Sequence, residues 1–105
     1  MAYRIIESPT GIGEVLNASQ HLCKVNYRLQ HRENTETRQA EILGEVTVDE
    51  AERMSVEVLN AMGSGQVFTL RLADNRSLQV SFTRGDALSG VYRAVNSSPE
   101  GFTPA

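Results

Sequence analysis

Phe68-Thr69-Leu70-Arg71-Leu72-Ala73-Asp74-Asn75-Arg76-Ser77-Leu78-Gln79-Val80-Ser81-Phe82 reads as two alternating runs joined by a polar connection. Phe68, Leu70 and Leu72, then Leu78, Val80 and Phe82, fall at every second position, the period of a strand that buries one face. Opposite residues of an antiparallel pair share a face, so the register must set apolar against apolar. Centring the turn on Asn75 pairs Leu72 with Leu78, Leu70 with Val80 and Phe68 with Phe82. It leaves Arg71 opposite Gln79 and Thr69 opposite Ser81. The connection is then an odd loop, Asp74 to Arg76, with Asn75 in the left-handed region that asparagine tolerates best of the three.

The same period recurs outward from this hairpin. Cys23, Val25, Tyr27 and Leu29 alternate with Lys24, Asn26, Arg28 and Gln30, which predicts a strand over 21–30 with one dry and one wet face. Residues 31–38 contain no apolar side chain and form a solvated connection. Ala40, Ile42, Gly44, Val46 and Val48 then predict a strand over 39–48 that pairs with the first through that loop. Tyr3 to Glu7 is a short strand stopped at Ser8-Pro9, because proline has no donor to continue a ladder. Thr10-Gly11-Ile12-Gly13 reads as a turn leading into Glu14 to Asn17. Arg84-Gly85-Asp86 and Ser89-Gly90 bracket another turn, and Val91 to Val95 is a last strand. The strands at 3–7 and 91–95 are the expected sheet edges.

Residues 48–62 carry two periods. Thr47-Val48-Asp49-Glu50 has the form of a capping box, Val48, Ala51, Ser55, Val58 and Met62 follow at steps of three and four, and Gly63 suits a helix C-terminus. Met54, Val56 and Val58 alternate like a strand instead. Good helix formers in the first half favour a helix over 49–61. The whole pattern predicts a mainly β, single-domain barrel or curled antiparallel sheet of roughly five to seven strands with that one short helix. The domain covers 1–96, and the turn-forming, polar stretch 97–105 reads as a mobile tail.

A chain of 105 residues suits one core, and its 40% hydrophobic and 6% aromatic content, without tryptophan, builds that core mainly from Val, Leu and Ile. A net charge of −3 argues against duplex nucleic acid or an anionic membrane as the main partner, although a local patch can outvote the total. The one cysteine, Cys23, has no partner within the chain, and the N-terminal stretch lacks the apolar run of a signal peptide, so a reducing, cytoplasmic location is expected. No apolar run approaches the roughly 20 residues of a membrane span.

Candidate chemistry is sparse. His21, Cys23 and His31 are ligand types of the right strand parity, yet His31 lies about 33 Å from His21 along an extended chain and no fourth ligand is apparent. Metal binding is therefore not predicted, and Cys23 reads as a small core residue. A cysteine nucleophile would need His21 or His31 as its base, and His21 is its same-face neighbour, but no third orienting group follows. Glu50, Arg53 and Glu57 lie at helical steps and form a solvated, ion-paired face. Lys24, Arg28 and Arg71 share wet faces, while Tyr27, Phe68 and Phe82 point the other way, so no stacking platform for single-stranded nucleic acid is predicted. Neither catalytic residues nor cofactors are assigned.

Two fragments resemble the motifs of the PilZ domain, a small β-barrel that binds cyclic-di-GMP. Arg28-Leu-Gln-His-Arg32 matches the Arg-x-x-x-Arg motif and Asn96-Ser-Ser98-Pro-Glu-Gly101 matches the Asp/Asn-x-Ser-x-x-Gly motif, in the family's order. The resemblance implies Arg28, Arg32, Asn96, Ser98 and Gly101 as ligand-binding residues, the arginines clamping phosphate and stacking on guanine. The second motif departs from the family in lying in the tail, with no strand after it. The wider pattern, Gly-x-Gly-x-Val, Leu43-Gly-Glu-Val and the hairpin, also resembles small bacterial β-domains of uncharacterised function, commonly with Asp-Gly where this chain has Asp74-Asn75. That likeness implies a β-barrel. The favoured reading is a non-enzymatic binding or interaction module with a protein or small-ligand partner. The alternatives are a PilZ-like nucleotide sensor and, behind it, a small thiol-dependent enzyme.

Overall fold

The computed structural model describes residues 2–97 and 101–104. Among them the elements run β1 (Tyr3–Glu7), β2 (Thr10–Asn17), β3 (Gln20–Asn34), β4 (Ala40–Val48), α1 (Val56–Met62), β5 (Val67–Arg71), β6 (Ser77–Asp86) and β7 (Val91–Asn96). All strand pairings are antiparallel, and the order β3-β2-β5-β6-β7-β4 returns to β3 through the β3–β4 ladder. Six strands thus close a barrel. β1 lies beyond β2 on the same flank of β3, after a break at Ser8-Pro9 where the Leu29 N–H donates to the Pro9 carbonyl at 2.9 Å. No helix among the described residues is long and apolar enough to cross a membrane.

Closure corrects the expected edges. β7 is bonded to β6 on one side and to β4 on the other, because the ring cannot close without it. Among the described residues β1 pairs on one flank alone, and its Tyr3, Ile5 and Ile6 are about half exposed. The interior is filled: Val15, Cys23, Val25, Val46, Phe68, Leu70, Leu78 and Val80 are buried at 1% exposure or less. Each such apolar side chain contributes about 1.5–3 kcal/mol by leaving water.

The opening hairpin forms with its predicted faces but in a register displaced by two residues. Phe68 lies opposite Val80 and Leu70 opposite Leu78. Turn chemistry decides this. In a three-residue hairpin loop the left-handed residue comes last, and Asn75, at φ 71°, is that residue. The loop is therefore Ala73 to Asn75: the Leu72 N–H donates to the Arg76 carbonyl at 2.8 Å and the Asn75 N–H to the Leu72 carbonyl at 3.0 Å. Asp74 completes it by accepting from the Arg76 backbone N–H at 3.0 Å and from its Nε at 2.8 Å. These bonds hold the Asp74 carboxyl below the usual carboxylate range. A slip of two keeps every side chain on its face. Phe68 and Phe82 become diagonal neighbours, their rings 6.0 Å apart, while Phe82 faces Ala94 across the next ladder.

Thr10 to Gly13 is strand, not turn. Its glycines mark close approach: a Cβ at Gly13 would strike the Arg71 carbonyl, and one at Gly11 would meet the Tyr27 hydroxyl. The buried Tyr27 ring lies against this bare stretch of β2, and its hydroxyl accepts the Ala73 N–H at 3.0 Å. β3 runs on to Asn34, so the polar connection shortens to 35–39.

The helix begins at Val56, seven residues later than predicted. Thr47 and Val48 belong to β4, and the Asp49 N–H still donates to the Lys24 carbonyl at 2.9 Å, so the capping-box residues are spent on the ladder. Residues 49–54 fold as turns closed by Glu52 N–H to the Asp49 carbonyl and Ser55 N–H to the Glu52 carbonyl. The helix is held by burial of Val58 and Met62 against the barrel core. At the other end of the chain, Thr103 exchanges two backbone hydrogen bonds with Ser77, and Phe102 packs edge-on against His31 and beneath the Arg76 guanidinium.

Candidate functional site

Because the barrel interior is packed with side chains, a ligand must be met on its outer face. There an open groove of about 930 Å³ crosses β3, β4, β7 and β6. Leu43, Gly44 and Val91 form part of its floor, and Ser8, Thr10 and Ser89 bring hydroxyls to its wall. Ladder register sets one row of charges across it: Arg28 opposite Glu45, Glu45 opposite Arg93, and Arg93 opposite Arg84.

Arg28, Glu45 and Arg93 face outward by simple alternation. Arg84 does not. It shares parity with Val80 and Phe82, whose side chains are buried. A bulge between Phe82 and Arg84 breaks the period, so that Arg84 faces Arg93 where Thr83 otherwise would. Gly85 then lies opposite Tyr92, where any Cβ would collide with the ring. The bulge turns a guanidinium out over the groove, the kind of re-aiming such irregularities provide. Sequence reasoning missed Arg84 and Arg93; Gly85 beside the arginine was the local signal, since glycine within a strand often marks a bulge.

The pairing of charges elsewhere is regular. Arg4 faces Glu33, Arg32 faces Glu41, Arg71 faces Glu14 and Arg28 faces Glu45, each at salt-bridge distance. Arg84 and Arg93 have no carboxylate at that distance among the described residues. Glu45 stands beside Arg93, but its contact is with Arg28, at a loose 3.9 Å.

The residues implied by the PilZ resemblance are only partly brought together. Arg28 stands in the groove, its side chain 78% exposed. Arg32 and Asn96 line an adjoining depression of about 480 Å³ that shares Leu43 and Arg93 with the groove. Arg32 is already engaged, 2.6 Å from Glu41 and stacked 4.1 Å from the Tyr3 ring centroid. Asn96 donates its side-chain amide to the Gln79 carbonyl at 2.9 Å. Gly101 lies near the buried Ile42, a residue that also borders that depression. Ser98 is outside the described residues.

His21, Cys23 and His31 do not converge. A register shift between Val15 and Leu16 breaks the parity of β3, so Cys23 is fully buried while His21 is exposed. Burial pushes the Cys23 thiol up to about 12, which leaves no accessible thiolate near neutrality. His21 instead sits between two carboxylates, Nδ1 2.8 Å from Glu14 and Nε2 3.3 Å from Glu52. The hydrogen bond to Glu14, seconded by Glu52, raises its pKa above the ordinary histidine value. Glu52 also accepts the Lys24 N–H at 2.9 Å, tying the 49–54 turns to β3. His31 packs on Phe102.

No family model matches this chain, and no curated protein or solved structure proves similar to it.

Proposed function

We propose that the protein is a non-enzymatic binding module that receives its ligand or partner in the outer groove over β3, β4, β7 and β6. The observation that carries this reading is the groove itself, of ligand-binding size and crossed by exposed arginines on a closed barrel. A packed interior directs recognition to this outer face, and a buried Cys23 supports a scaffold role for the one thiol. A cytoplasmic setting accords with that single, unpaired cysteine. The test is a thermal-shift screen of nucleotides, cyclic-di-GMP and other anionic metabolites on the intact protein and on Leu43→Glu, which places a carboxylate on the groove floor. Ligands that stabilise the protein should lose that effect in Leu43→Glu. Stabilisation that survives the substitution in every case sinks the reading.

A cyclic-di-GMP sensor is the second reading. It is favoured by Arg28 and Arg32 standing on one face of β3 in adjoining depressions, with Asn96 beside Arg32. Arg32 would have to leave Glu41 and Tyr3 to take part. Titration with cyclic-di-GMP should move the amide signals of Arg28, Arg32 and Asn96; signals that stay in place reject it.

A further inference from the structure

We infer that Arg84 and Arg93 form a clamp for the phosphate group of a small ligand, an inference that rests on the groove being the binding site. Like charges directly opposite each other on neighbouring strands destabilise a sheet. This sheet avoids that cost at four other arginines by setting a glutamate across from each: Arg4, Arg28, Arg32 and Arg71. At β6–β7 it does the reverse, and does so through a bulge whose effect is to bring Arg84 outward against Arg93. Glu45 lies across from Arg93 on its other flank but contacts Arg28, and Arg84 has no glutamate across from it. The counter-charge that this pair lacks is supplied by an anion bound between them.

The geometry narrows the anion. Two guanidinium forks on adjacent strands stand about 5 Å apart at their backbones. One fork saturates a carboxylate through two parallel hydrogen bonds, whereas a phosphate group has further oxygens and charge for a second. The rest of the groove sets the size of the ligand. Its charged lining is Arg28, Arg84 and Arg93 against Glu45 and Asp86, a balance too near neutral for a long polyanion but suited to a compact ester with one or two phosphates. Aromatic side chains are absent from the described lining, so a base carried by such a ligand would lie on the Arg28 guanidinium, which stacks on planar rings. Ser8 and Thr10 bring hydroxyls that can hydrogen-bond a sugar or the outer phosphate oxygens, while the Ser89 hydroxyl donates to the Asp86 carbonyl at 3.3 Å and accepts the Val91 N–H at 3.4 Å.

Inorganic pyrophosphate is the probe. It is titrated into the intact protein at constant ionic strength, with chloride as the exchanged anion, while the backbone amide and arginine Nε–Hε signals are recorded. The clamp predicts saturable shifts centred on Arg84 and Arg93. Arg84→Gln and Arg93→Gln should each weaken binding about tenfold or more, as loss of a charge-assisted fork requires. Arg71→Gln, at a paired arginine on another part of the barrel, should leave it unchanged. Shifts that are linear and equal for chloride, or that persist unchanged in Arg84→Gln and Arg93→Gln, overturn the clamp. Both variants alter exposed side chains, and their dispersed spectra report whether they fold. Ligands that depend on Leu43 but ignore both arginines would overturn the clamp and leave the groove reading intact; loss of all Leu43 dependence would remove the groove reading itself.

Discussion

Strand β6 meets its two neighbours on different terms. Along its first half it lies against β5 with Leu78 opposite Leu70, and on the wet face Gln79 donates to the Thr69 hydroxyl at 3.0 Å. Along its second half it lies against β7 with Arg84 opposite Arg93. The first ladder satisfies both faces at once, as a stability-determined sheet does. The second inserts an extra residue and sets like charges together. One strand therefore carries a scaffold half and a half whose surface runs against stability, and the bulge at Thr83 divides them. Departures of that sort from local consistency concentrate at sites of function.

The contrast is broken most forcefully from the scaffold side. Leu70 is fully buried between Val15 of β2 and Leu78 of β6. Leu70→Ala should cost about 2–5 kcal/mol, transfer and cavity terms together, read as a lower urea midpoint. A loss under about 1 kcal/mol would mean that the β5–β6 half is not the packed scaffold described.

The turn between β5 and β6 comes next. Asn75 holds a left-handed conformation that a β-branched residue adopts at a cost of about 1–2 kcal/mol. Asn75→Val should destabilise by roughly that amount, and Asn75→Gly should not destabilise at all, since glycine enters the region freely. Equal losses in both would show that the side chain of Asn75, and not its backbone conformation, sets the loop.

This loop also shows what could be read in the residues alone. Alternation assigned the faces correctly over Cys23 to Leu29 of β3, Ile42 to Val48 of β4, β5, and β6 as far as Phe82, because side-chain period survives any slip of two but not a bulge. For the same reason it could not fix the register, which hung on whether Asn75 stands in the middle or at the end of its loop. The capping-box pattern at Thr47 failed because a ladder hydrogen bond to Lys24 claims the chain that a helix would need. Gly11 and Gly13 read as turn residues because glycine's two uses, special dihedral angles and close approach, look alike without the partner strand. The groove was least legible. Arg84 and Arg93 meet across the β6–β7 hairpin, and Arg28 joins them only because β4 pairs with β7 and closes the ring. Arg84-Gly85-Asp86 read as the edge of a turn, whereas β6 runs on through it. Arg28 was singled out, by resemblance, and does stand in that groove.

On the second half of β6 the expected sign is opposite. Replacing Arg84 with Gln removes a like-charge neighbour, so Arg84→Gln should stabilise the ligand-free protein by about 0.2–1 kcal/mol at low salt. The gain should shrink toward 1 M salt, where the screening length falls to about 3 Å. Arg71→Gln, which abandons Glu14, should move stability the other way or not at all. A destabilised Arg84→Gln would erase the distinction between the two halves of the strand.

The smallest effect tests whether exposed charge elsewhere on the barrel behaves as scaffold. A neutral imidazole can donate from only one ring nitrogen, so His21 serves both Glu14 and Glu52 as a donor only when doubly protonated. Its pKa is raised in the folded protein by those hydrogen bonds. A group raised on folding contributes stability that is fully present below its unfolded value of about 6.5 and is lost as pH rises through the higher folded value. The difference between the wild type and His21→Gln should therefore be largest near pH 6 and close to zero well above the folded pKa. Side chains this exposed are screened by water, so the difference should stay near 0.5 kcal/mol or below, about the range of surface ion pairs. Urea midpoints of both proteins across that pH range measure it. If the gap widened with rising pH, the clamp at His21 would be destabilising when charged, and the 49–54 turns would owe their place to the Glu52–Lys24 and Asp49–Lys24 backbone bonds and to Arg53, not to His21.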